Sequence, residues 1–183
     1  SVHQDQAVRE KTTLEGLSQL KPIFDPQGSI TAGNSSPLNA GAGGMLLMAR
    51  EHAEKAGLPI LGLVRGMGVA GVDPTCMGQG PVPAVRKALT HAGLSIQDID
   101  FWEINEAFSV VALYAVQELG IDPERVNVMG GGLALGHPLG ATGIRLVGTL
   151  ARILEHTEAR YGCASACVGG GQGIALVIER CPQ

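Results

Sequence analysis

The sequence predicts a layered α/β fold in which helices cover a mixed β-sheet, and three observations support this prediction. Apolar runs alternate with helical patterns in the order β-α-β-α-β-α-β-α-β-β. The core of the predicted domain has the order β-α-β-α-β-α-β-β. Glycine accounts for 27 of 183 residues without a repeat period, and the glycines cluster at the predicted element ends. Aromatic residues are only 3% of the chain, so Ala, Val, Leu and Ile must form the core.

The first 57 residues divide into a polar segment and a predicted helix. Residues 1–28 show no clear helical or strand period, and we interpret them as an extended arm preceding a domain of residues 29–183. A short β-prone run at 29–32 leads to a turn, after which Ser36 and Pro37 are typical of the N-cap and first position of a helix. This helix is predicted to continue to residue 56 and to stop at Gly57.

A buried strand is predicted at residues 59–70, and residues 66–71 match the dinucleotide-binding pattern G-x-G-x-x-G. We reject nucleotide binding there, because that pattern requires a helix to open at the third glycine. Here Asp73-Pro74 follows instead, and the next helix is predicted only at residues 82–92, ending at Gly93.

The second half of the chain repeats the strand and helix alternation. Residues 94–104 lead into a strand, and Asn105 lies at the corner before a helix that reaches Gly120, where it could cap the helix or point into a site. A brief strand at 125–128 is predicted to feed a glycine-rich loop and then a helix ending near His156. Residues 160–167 and 173–180 are predicted to form a terminal hairpin around a second glycine-rich turn.

Four polar residues, Ser36, Asn105, His137 and Cys167, each follow a predicted strand directly. Functional groups of layered α/β sheets collect beyond the carboxyl ends of the strands, so we expect these side chains to meet at one edge. His137 is the one ionisable residue among the fourteen of the glycine-rich loop 130–143. Histidine beside a thiol and glycine-rich amides would lower the pKa of the thiol and favour a thiolate.

These groups favour acyl chemistry over phosphoryl transfer. A thiolate at Cys167 could attack a carbonyl or take a proton, and the amides after it, especially that of Gly169, could bind an oxyanion. The non-catalytic alternatives are that Cys167 is an inert core residue and that His137 makes only structural hydrogen bonds. A Cys-His-Asn hydrolase with Cys167 as nucleophile is a further alternative, whereas Cys163 and Cys167 lack the second ligand pair that a metal site would need.

The composition limits the setting of the protein. The formal charge is −4 with scattered basic residues, which argues against a nucleic-acid partner. Four cysteines do not form a disulfide framework, which favours a reducing compartment. No apolar run approaches the length of a membrane span, so we expect a soluble protein of the cytoplasm or of an organellar matrix.

Several segments together resemble thiolases, the acetyl-CoA C-acyltransferases. Three motifs of the C-terminal part of that family are similar to N-E-A-F at 105–108, G-H-P-L-G at 136–140 and C-V-G-G-G-Q-G at 167–173. The coenzyme A loop of the family resembles T-A-G-N-S-S at 31–36, and the similarity continues through 72–74 and 77–84. The resemblance spans essentially the whole chain and implies a thiolase-like C-terminal domain.

The resemblance implies a role for each polar residue of the predicted site. Cys167 would be the acid/base that moves a proton at the α-carbon of an acyl-CoA, and His137 would polarise the thioester oxygen and activate a partner thiol. Asn105 would position a water, and the Gly169 amide would hold the oxygen of the acyl-enzyme. Coenzyme A would be a substrate, with no metal and no bound cofactor, in contact with Arg9, Thr12, Phe24, Ala32, Ser36, Met77 and Phe108.

The resemblance also implies an acyl transfer of fatty acid metabolism and β-oxidation, namely thiolytic cleavage of 3-oxoacyl-CoA or condensation of acyl-CoA. The nucleophilic cysteine of the family lies in its N-terminal half, so we expect this chain to be a C-terminal half that is inactive alone. We expect an apolar face that binds an N-terminal half, as a separate chain or missing segment, in a homo- or hetero-oligomer. A non-catalytic acyl-CoA or lipid-binding module is the alternative. The chain departs from the family at Ala40 and Gln6, where acidic residues are common.

Overall fold

The computed structural model describes His3, Asp5 and residues 7–181, so Gln6 and the outermost residues of the two predicted domains lie outside it. Its central element is a four-stranded sheet of order β1-β4-β3-β2. Strands β2 and β3 run parallel, whereas β4 is antiparallel to both of its neighbours, β1 and β3. The mixed sheet confirms the predicted fold class. The strands are β1 Leu63–Gly71, β2 Phe101–Ile104, β3 Tyr161–Val168 and β4 Gln172–Glu179.

Six α-helices accompany the sheet within the described part of the chain; two of the three longest begin and end close to their predicted positions, whereas the one that reaches Leu119 begins at Ser109, after the predicted start at 105–108. They are α1 Leu14–Ser18, α2 Arg50–Lys55, α3 Pro81–Ala92, α4 Ser109–Leu119, α5 Gly132–Leu135 and α6 Thr142–Thr157. None of these helices combines the length and the apolar character needed to cross a bilayer.

The two faces of the sheet carry separate apolar clusters, which makes three layers. Trp102 and Cys163 face the larger cluster with α3 and α4. Ala164, the next residue along β3, faces the smaller cluster with α6. This alternation is the period of two expected of a strand that is buried on both sides.

The rejected dinucleotide pattern has a packing role. Gly68 lies within β1, and a Cβ atom at this position would collide with the carbonyl oxygen of Ala84 and approach the amide nitrogen of Ala88 to 2.7 Å. The absence of side chains here lets α3 lie directly on the strand. Two glycines of this motif, Gly66 and Gly68, therefore serve the contact between helix and sheet.

Replacing Gly68 with Ala is expected to destabilise the fold by about 1–3 kcal/mol, the usual cost of overpacking a filled interior. Urea unfolding would measure this free energy. Gly71 is the matched control on the same strand, since a Cβ there would meet no atom within 4 Å. Equal stabilities of the Gly68→Ala and Gly71→Ala variants would contradict the packing role.

The predicted helix at residues 36–56 is wrong over most of its length, because only Arg50–Lys55 is helical. Residues 37–49 have no regular structure, and Leu38 and Leu47 are 87% and 72% exposed. Glycines at 41, 43 and 44 would each cost about 1 kcal/mol in a helix. The segment instead lies against the start of α6, where a Cβ at Gly43 would be 3.1 Å from Ile144.

Three smaller predictions also require correction. The β-prone run at 29–32 leads into a 3-10 helix, Ala32–Asn34, and the arm contains α1. The strand expected at 125–128 is reduced to one bridge between Trp102 and Val126, because the chain turns away after a 3-10 helix. Strand β1 is half exposed, since it is an edge strand that α3 covers on one face alone.

Candidate active site

The parallel pairing of β2 and β3 brings two of the predicted residues to one edge of the sheet. Asn105 follows β2 immediately, and its backbone N–H donates to the carbonyl of Ser165 at 2.9 Å. Cys167 is the penultimate residue of β3. His137 reaches the same edge from the turn between α5 and α6 and therefore follows a helix instead of the predicted strand.

The His137 imidazole has a defined partner at each nitrogen. Nε2 lies 3.3 Å from Asn105 Nδ2, and Nδ1 lies 2.7 Å from the hydroxyl of Thr142. That hydroxyl also lies 3.1 Å from the carbonyl of Pro138, to which it can donate its only proton, and this arrangement favours the tautomer in which Nδ1–H donates to the hydroxyl. Nε2 consequently keeps its lone pair and faces the amide N–H of Asn105.

The protonation state of His137 follows from its surroundings. Burial, and secondarily the positive charge of Arg145, lower the pKa of the imidazole below its ordinary value of 6.5. His137 is therefore neutral at physiological pH. A neutral imidazole that carries its lone pair on Nε2 can accept a proton from a thiol.

The position of Asn105 decides between the two roles that the sequence left open. Helix α4 begins at Ser109 with Phe108 as its N-cap residue, so Asn105 does not cap it. Its fully buried side chain points to His137 instead. The carbonyl oxygen Oδ1 of this side chain has no hydrogen-bond partner among the described residues, so it remains an acceptor at the site.

A hydrogen-bond network of Glu106 and Asn127, which the sequence did not predict, fixes the loop of His137 to the end of β2. The carboxylate of Glu106 accepts from the Leu133 backbone N–H at 3.1 Å and from Asn127 Nδ2 at 3.0 Å. Asn127 also bonds the N–H and C=O groups of Ile104 at 2.8 and 2.9 Å. Glu106 stands in the quoted N-E-A-F motif, but nothing in the sequence around Asn127 or Thr142 marked them as partners.

The loop also requires glycine at Gly136, directly before the histidine. Its φ of +95° lies in the region that favours glycine, and a Cβ there would collide with the side chain of Asn39. The backbone N–H of His137 in turn donates to the carbonyl of Pro37 at 3.2 Å. The extended segment at 37–49 thus packs on the histidine loop.

The predicted thiolate at Cys167 requires correction. Burial raises the pKa of this thiol above its ordinary value, and a hydrogen bond to its own backbone opposes the rise only in part. No hydrogen bond to His137 or Asn105 is found for Cys167 within the described residues, so no cation stabilises the ionised form. Cys167 therefore shares with Asn105 the end of the parallel pair β2 and β3, and burial favours the protonated form of its thiol.

The turn after Cys167 exposes Gly169. Its carbonyl accepts from the side chain of Gln172 at 3.2 Å, which holds the turn between β3 and β4. Gly170 and Gly171 follow with φ angles of +85° and +80°. The turn therefore leaves the backbone of Gly169 accessible at the same end of β3 as Cys167.

Three of the residues predicted to contact coenzyme A lie together. Phe24 and Phe108 meet edge to face with ring centroids 6.1 Å apart. Ser36 bonds the carbonyl of Ala107 through both its N–H, at 3.0 Å, and its hydroxyl, at 3.2 Å. These contacts place an aromatic pair and a hydroxyl beside the residues that follow Asn105.

The other four predicted contact residues are not brought to this group by any described hydrogen bond. Arg9 is exposed and donates to Ala7, and the hydroxyl of Thr12 donates to the Arg9 carbonyl at 2.9 Å. Ala32 opens the exposed 3-10 helix Ala32–Asn34. Met77 is half-buried in another 3-10 helix, Pro74–Gln79.

The described residues contain no set of side chains that could bind a metal ion. No three side chains of His, Cys, Asp or Glu there are grouped closely enough to hold an ion. Cys163 and Cys167 are both free thiols, and burial raises the pKa of Cys163 to about 12. Cys163 is therefore an inert core residue.

Domain matches decide the family. The family model described as "Thiolase, C-terminal domain" matches residues 58–180, and "Thiolase, N-terminal domain" matches residues 1–51. The chain belongs to the thiolase family. Because the second match lies on the N-terminal domain, the expectation that this thiolase chain holds a C-terminal half alone is not confirmed.

Individual relatives agree with this assignment. The chain is 51% identical over 180 residues to "3-ketoacyl-CoA thiolase" of Vibrio vulnificus (strain YJ016), covering 96% of this chain and 46% of the relative. It is 53% identical to "3-ketoacyl-CoA thiolase B, peroxisomal" of Rattus norvegicus, covering 98% of this chain and 42% of the relative. The chain thus spans less than half the length of these thiolases.

Solved thiolase structures share the fold. The acetyl-CoA acetyltransferase of Bacillus anthracis superposes with a TM-score of 0.92 at 47% identity, over 97% of this chain and 45% of that structure. Human mitochondrial 3-ketoacyl-CoA thiolase in complex with CoA gives a TM-score of 0.89 at 38% identity, over 99% of this chain and 46% of that structure. These scores confirm the thiolase-like fold.

Proposed function

We propose that this chain contributes its glycine-rich edge to a thiolase active site that transfers acyl groups to or from coenzyme A. The reaction is the thiolytic cleavage of a 3-oxoacyl-CoA or, in reverse, the condensation of two acyl-CoA molecules. The observation that carries the proposal is the neutral His137, held at both nitrogens with its Nε2 lone pair beside Asn105. The names of the relatives and the CoA complex of a similar structure support the same substrate class.

His137 acts as the base towards a thiol. Its Nε2 accepts the proton of the coenzyme A sulfhydryl, and the resulting thiolate attacks the thioester carbonyl of the acyl-enzyme. The Nε2–H formed in this way then donates to the developing oxyanion. Asn105 contributes its amide next to Nε2, and its unpartnered Oδ1 positions a water in the same oxyanion hole.

Cys167 acts as the acid and base at the α-carbon. Its neutral thiol gives a proton to the carbanion that leaves when a 3-oxoacyl-CoA is cleaved, and the thiolate removes that proton again in condensation. A raised pKa suits this cycle, since the protonated form is the resting form. The accessible backbone of Gly169 is placed to donate its N–H to the acyl-enzyme oxygen.

Coenzyme A is a substrate in this proposal. Phe24, Ser36 and Phe108 lie along its pantetheine path, with Ala32 and Met77 at the sides. Arg9 and Thr12 meet the nucleotide from the polar segment that contains α1. The exposed guanidinium of Arg9 offers a phosphate a bidentate partner.

In this proposal the nucleophilic cysteine that forms the acyl-enzyme comes from the portion of a thiolase that this chain, which covers 46% of the Vibrio vulnificus relative, does not span. The chain alone is inactive, and the exposed apolar side chains of residues 38–48 pack against the remaining portion, joined or separate, in an oligomer. The bacterial and peroxisomal relatives support a location in the cytoplasm or an organellar matrix.

Thiolysis tests this function. The chain is joined to the remaining N-terminal part of the Vibrio vulnificus relative, and coenzyme A-dependent loss of a 3-oxoacyl-CoA is followed. We expect turnover by the joined protein and none by either part alone. The absence of cleavage by a folded joined protein, with Cys167→Ser behaving as the parent, would reject the proposal.

A non-catalytic acyl-CoA-binding module is the second candidate, and one observation favours it. Burial keeps Cys167 as a neutral thiol, which is the unreactive form expected of a protein that binds without turnover. Calorimetric titration of the joined protein with coenzyme A separates the two functions. Tight binding of coenzyme A without thiolysis would favour the module.

A further inference from the structure

A buried ion pair joins the two elements that carry Asn105 and His137. Nη1 of Arg145 donates to Oε2 of Glu103 at 2.9 Å, and the Glu103 side chain is fully buried. Glu103 lies on β2 two residues before Asn105, and Arg145 lies on α6 three residues after Thr142. The pair therefore connects the strand and the helix turn between which the imidazole is held.

The ion pair lies between the same two elements, β2 and α6, as the contact of Asn105 with His137. Residues two apart on a strand point to the same face, and Ala164, the register partner of Glu103, packs in the cluster with α6. Glu103 and Asn105 thus both face α6, one reaching Arg145 and the other His137. Three contacts, including that of Thr142 with Nδ1, set the separation of β2 from the start of the helix.

Stability alone does not account for the pair. Oε1 of Glu103 and the Nε and Nη2 atoms of Arg145 are buried without hydrogen-bond partners in the described structure. A buried ion pair offsets its desolvation only when its remaining polar atoms are satisfied, and apolar replacements of such pairs are often neutral or stabilising. A pair with three unsatisfied atoms is better suited to fixing an orientation than to stabilising the fold.

The charges around His137 act in the same direction. Burial raises the pKa of Glu103 to about 7, although Arg145 opposes the rise. The charge of Arg145 disfavours a second positive charge on His137 and, after burial, is the other cause that lowers the pKa of the imidazole. Asn105 and Thr142, which touch the imidazole, are uncharged, and Glu106 is the other charged group at the end of β2.

We propose that the Glu103–Arg145 pair is a clamp that holds His137 against Asn105 in its neutral, Nδ1-protonated form. Arg145 and Glu103 are then positioning residues of the proposed active site. The inference rests on the proposed function for the purpose of His137. The contacts themselves are properties of this chain and can be measured without turnover.

Histidine NMR spectroscopy of the 183-residue chain tests the clamp. Long-range proton–nitrogen spectra report the tautomer and titration midpoint of His137, which is assigned by comparison with His137→Gln. In Glu103→Met/Arg145→Met we expect an unchanged or higher melting temperature, a shift of the His137 midpoint to higher pH and the loss of the pure Nδ1-protonated signature. Arg145→Lys, which keeps the positive charge, is expected to retain the low midpoint.

Arg152→Met is the matched control, because it removes a charge from the exposed face of the same helix. A folded double variant with the wild-type tautomer and midpoint would overturn the clamp. Should the double variant fail to fold, Arg145→Gln gives the same decision, since an unchanged midpoint there would overturn it as well. Absence of thiolysis by the joined protein would instead reject the proposed function and leave the NMR result standing.

Discussion

Replacing His137 with Ala is expected to lower kcat for thiolysis by about 10²–10⁴-fold, the usual contribution of general acid–base catalysis. The variant loses the Nε2 lone pair that accepts the coenzyme A proton and the N–H that binds the oxyanion. The steady-state rate of the joined protein would measure the loss. KM for the 3-oxoacyl-CoA is expected to change much less than kcat, because the imidazole acts mainly in the transition state.

The pH profile of the parent protein supplies a second readout for His137. Its pKa is lowered below the ordinary 6.5, so the base form persists to lower pH, and the acid limb of kcat/KM should lie below 6.5. His156→Ala is the control, since this exposed histidine lies in the last turn of α6, remote from the site. An equal loss of thiolysis in His137→Ala and His156→Ala would contradict the assignment of His137 as the base.

Replacing Cys167 with Ala is expected to reduce thiolysis by a comparable factor of about 10²–10⁴, through the loss of the proton donor to the departing carbanion. Coenzyme A binding should survive, because the missing atom moves a proton and does not hold the nucleotide. Calorimetry measures the binding, and the same thiolysis assay measures the rate. The two together separate a chemical role from a binding role.

The thiol pKa gives a further expected result for Cys167. Because burial raises this pKa, alkylation by iodoacetamide should be slow at neutral pH and should accelerate as the pH rises. Cys76 is exposed and serves as the matched control in both assays, as Cys76→Ser should retain full activity. Fast alkylation of Cys167 at neutral pH would show that the thiolate is already present.

The sequence was sufficient where a local rule decides the structure. The glycine at 93 and the prolines at 81 and 83 bound α3, and the glycine-rich turn at 169–171 gives the hairpin of β3 and β4. Asn105 and His137 do meet as predicted, but only Asn105 follows a parallel strand, whereas His137 arrives from the turn between α5 and α6. The glycine pattern in β1 is followed, as the sequence predicts, by no α-helix at its third glycine, since β1 ends at Gly71 and a 3-10 helix begins at Pro74.

The remainder depends on contacts between residues far apart in the chain. Residues 36–56 have the apolar spacing of a helix, but whether they form one depends on the surface that covers them. Most of the segment is irregular and packs on α6. The hydrogen bond between Asn127 and Glu106 joins residues 21 positions apart that no periodic pattern connects. The thiol of Cys167 was expected to ionise, and only the packing of β3 shows that burial opposes this by raising its pKa.

The central claim is that His137 and Cys167 face one pocket in which the coenzyme A sulfur binds, and a crystal structure of the joined protein with bound coenzyme A tests it most directly. The account predicts that the coenzyme A sulfur lies within hydrogen-bonding reach of His137 Nε2 and in contact with Cys167 Sγ, about 3–4 Å from each. A sulfur atom near only one of them, with the other facing a separate part of the protein, would contradict the account.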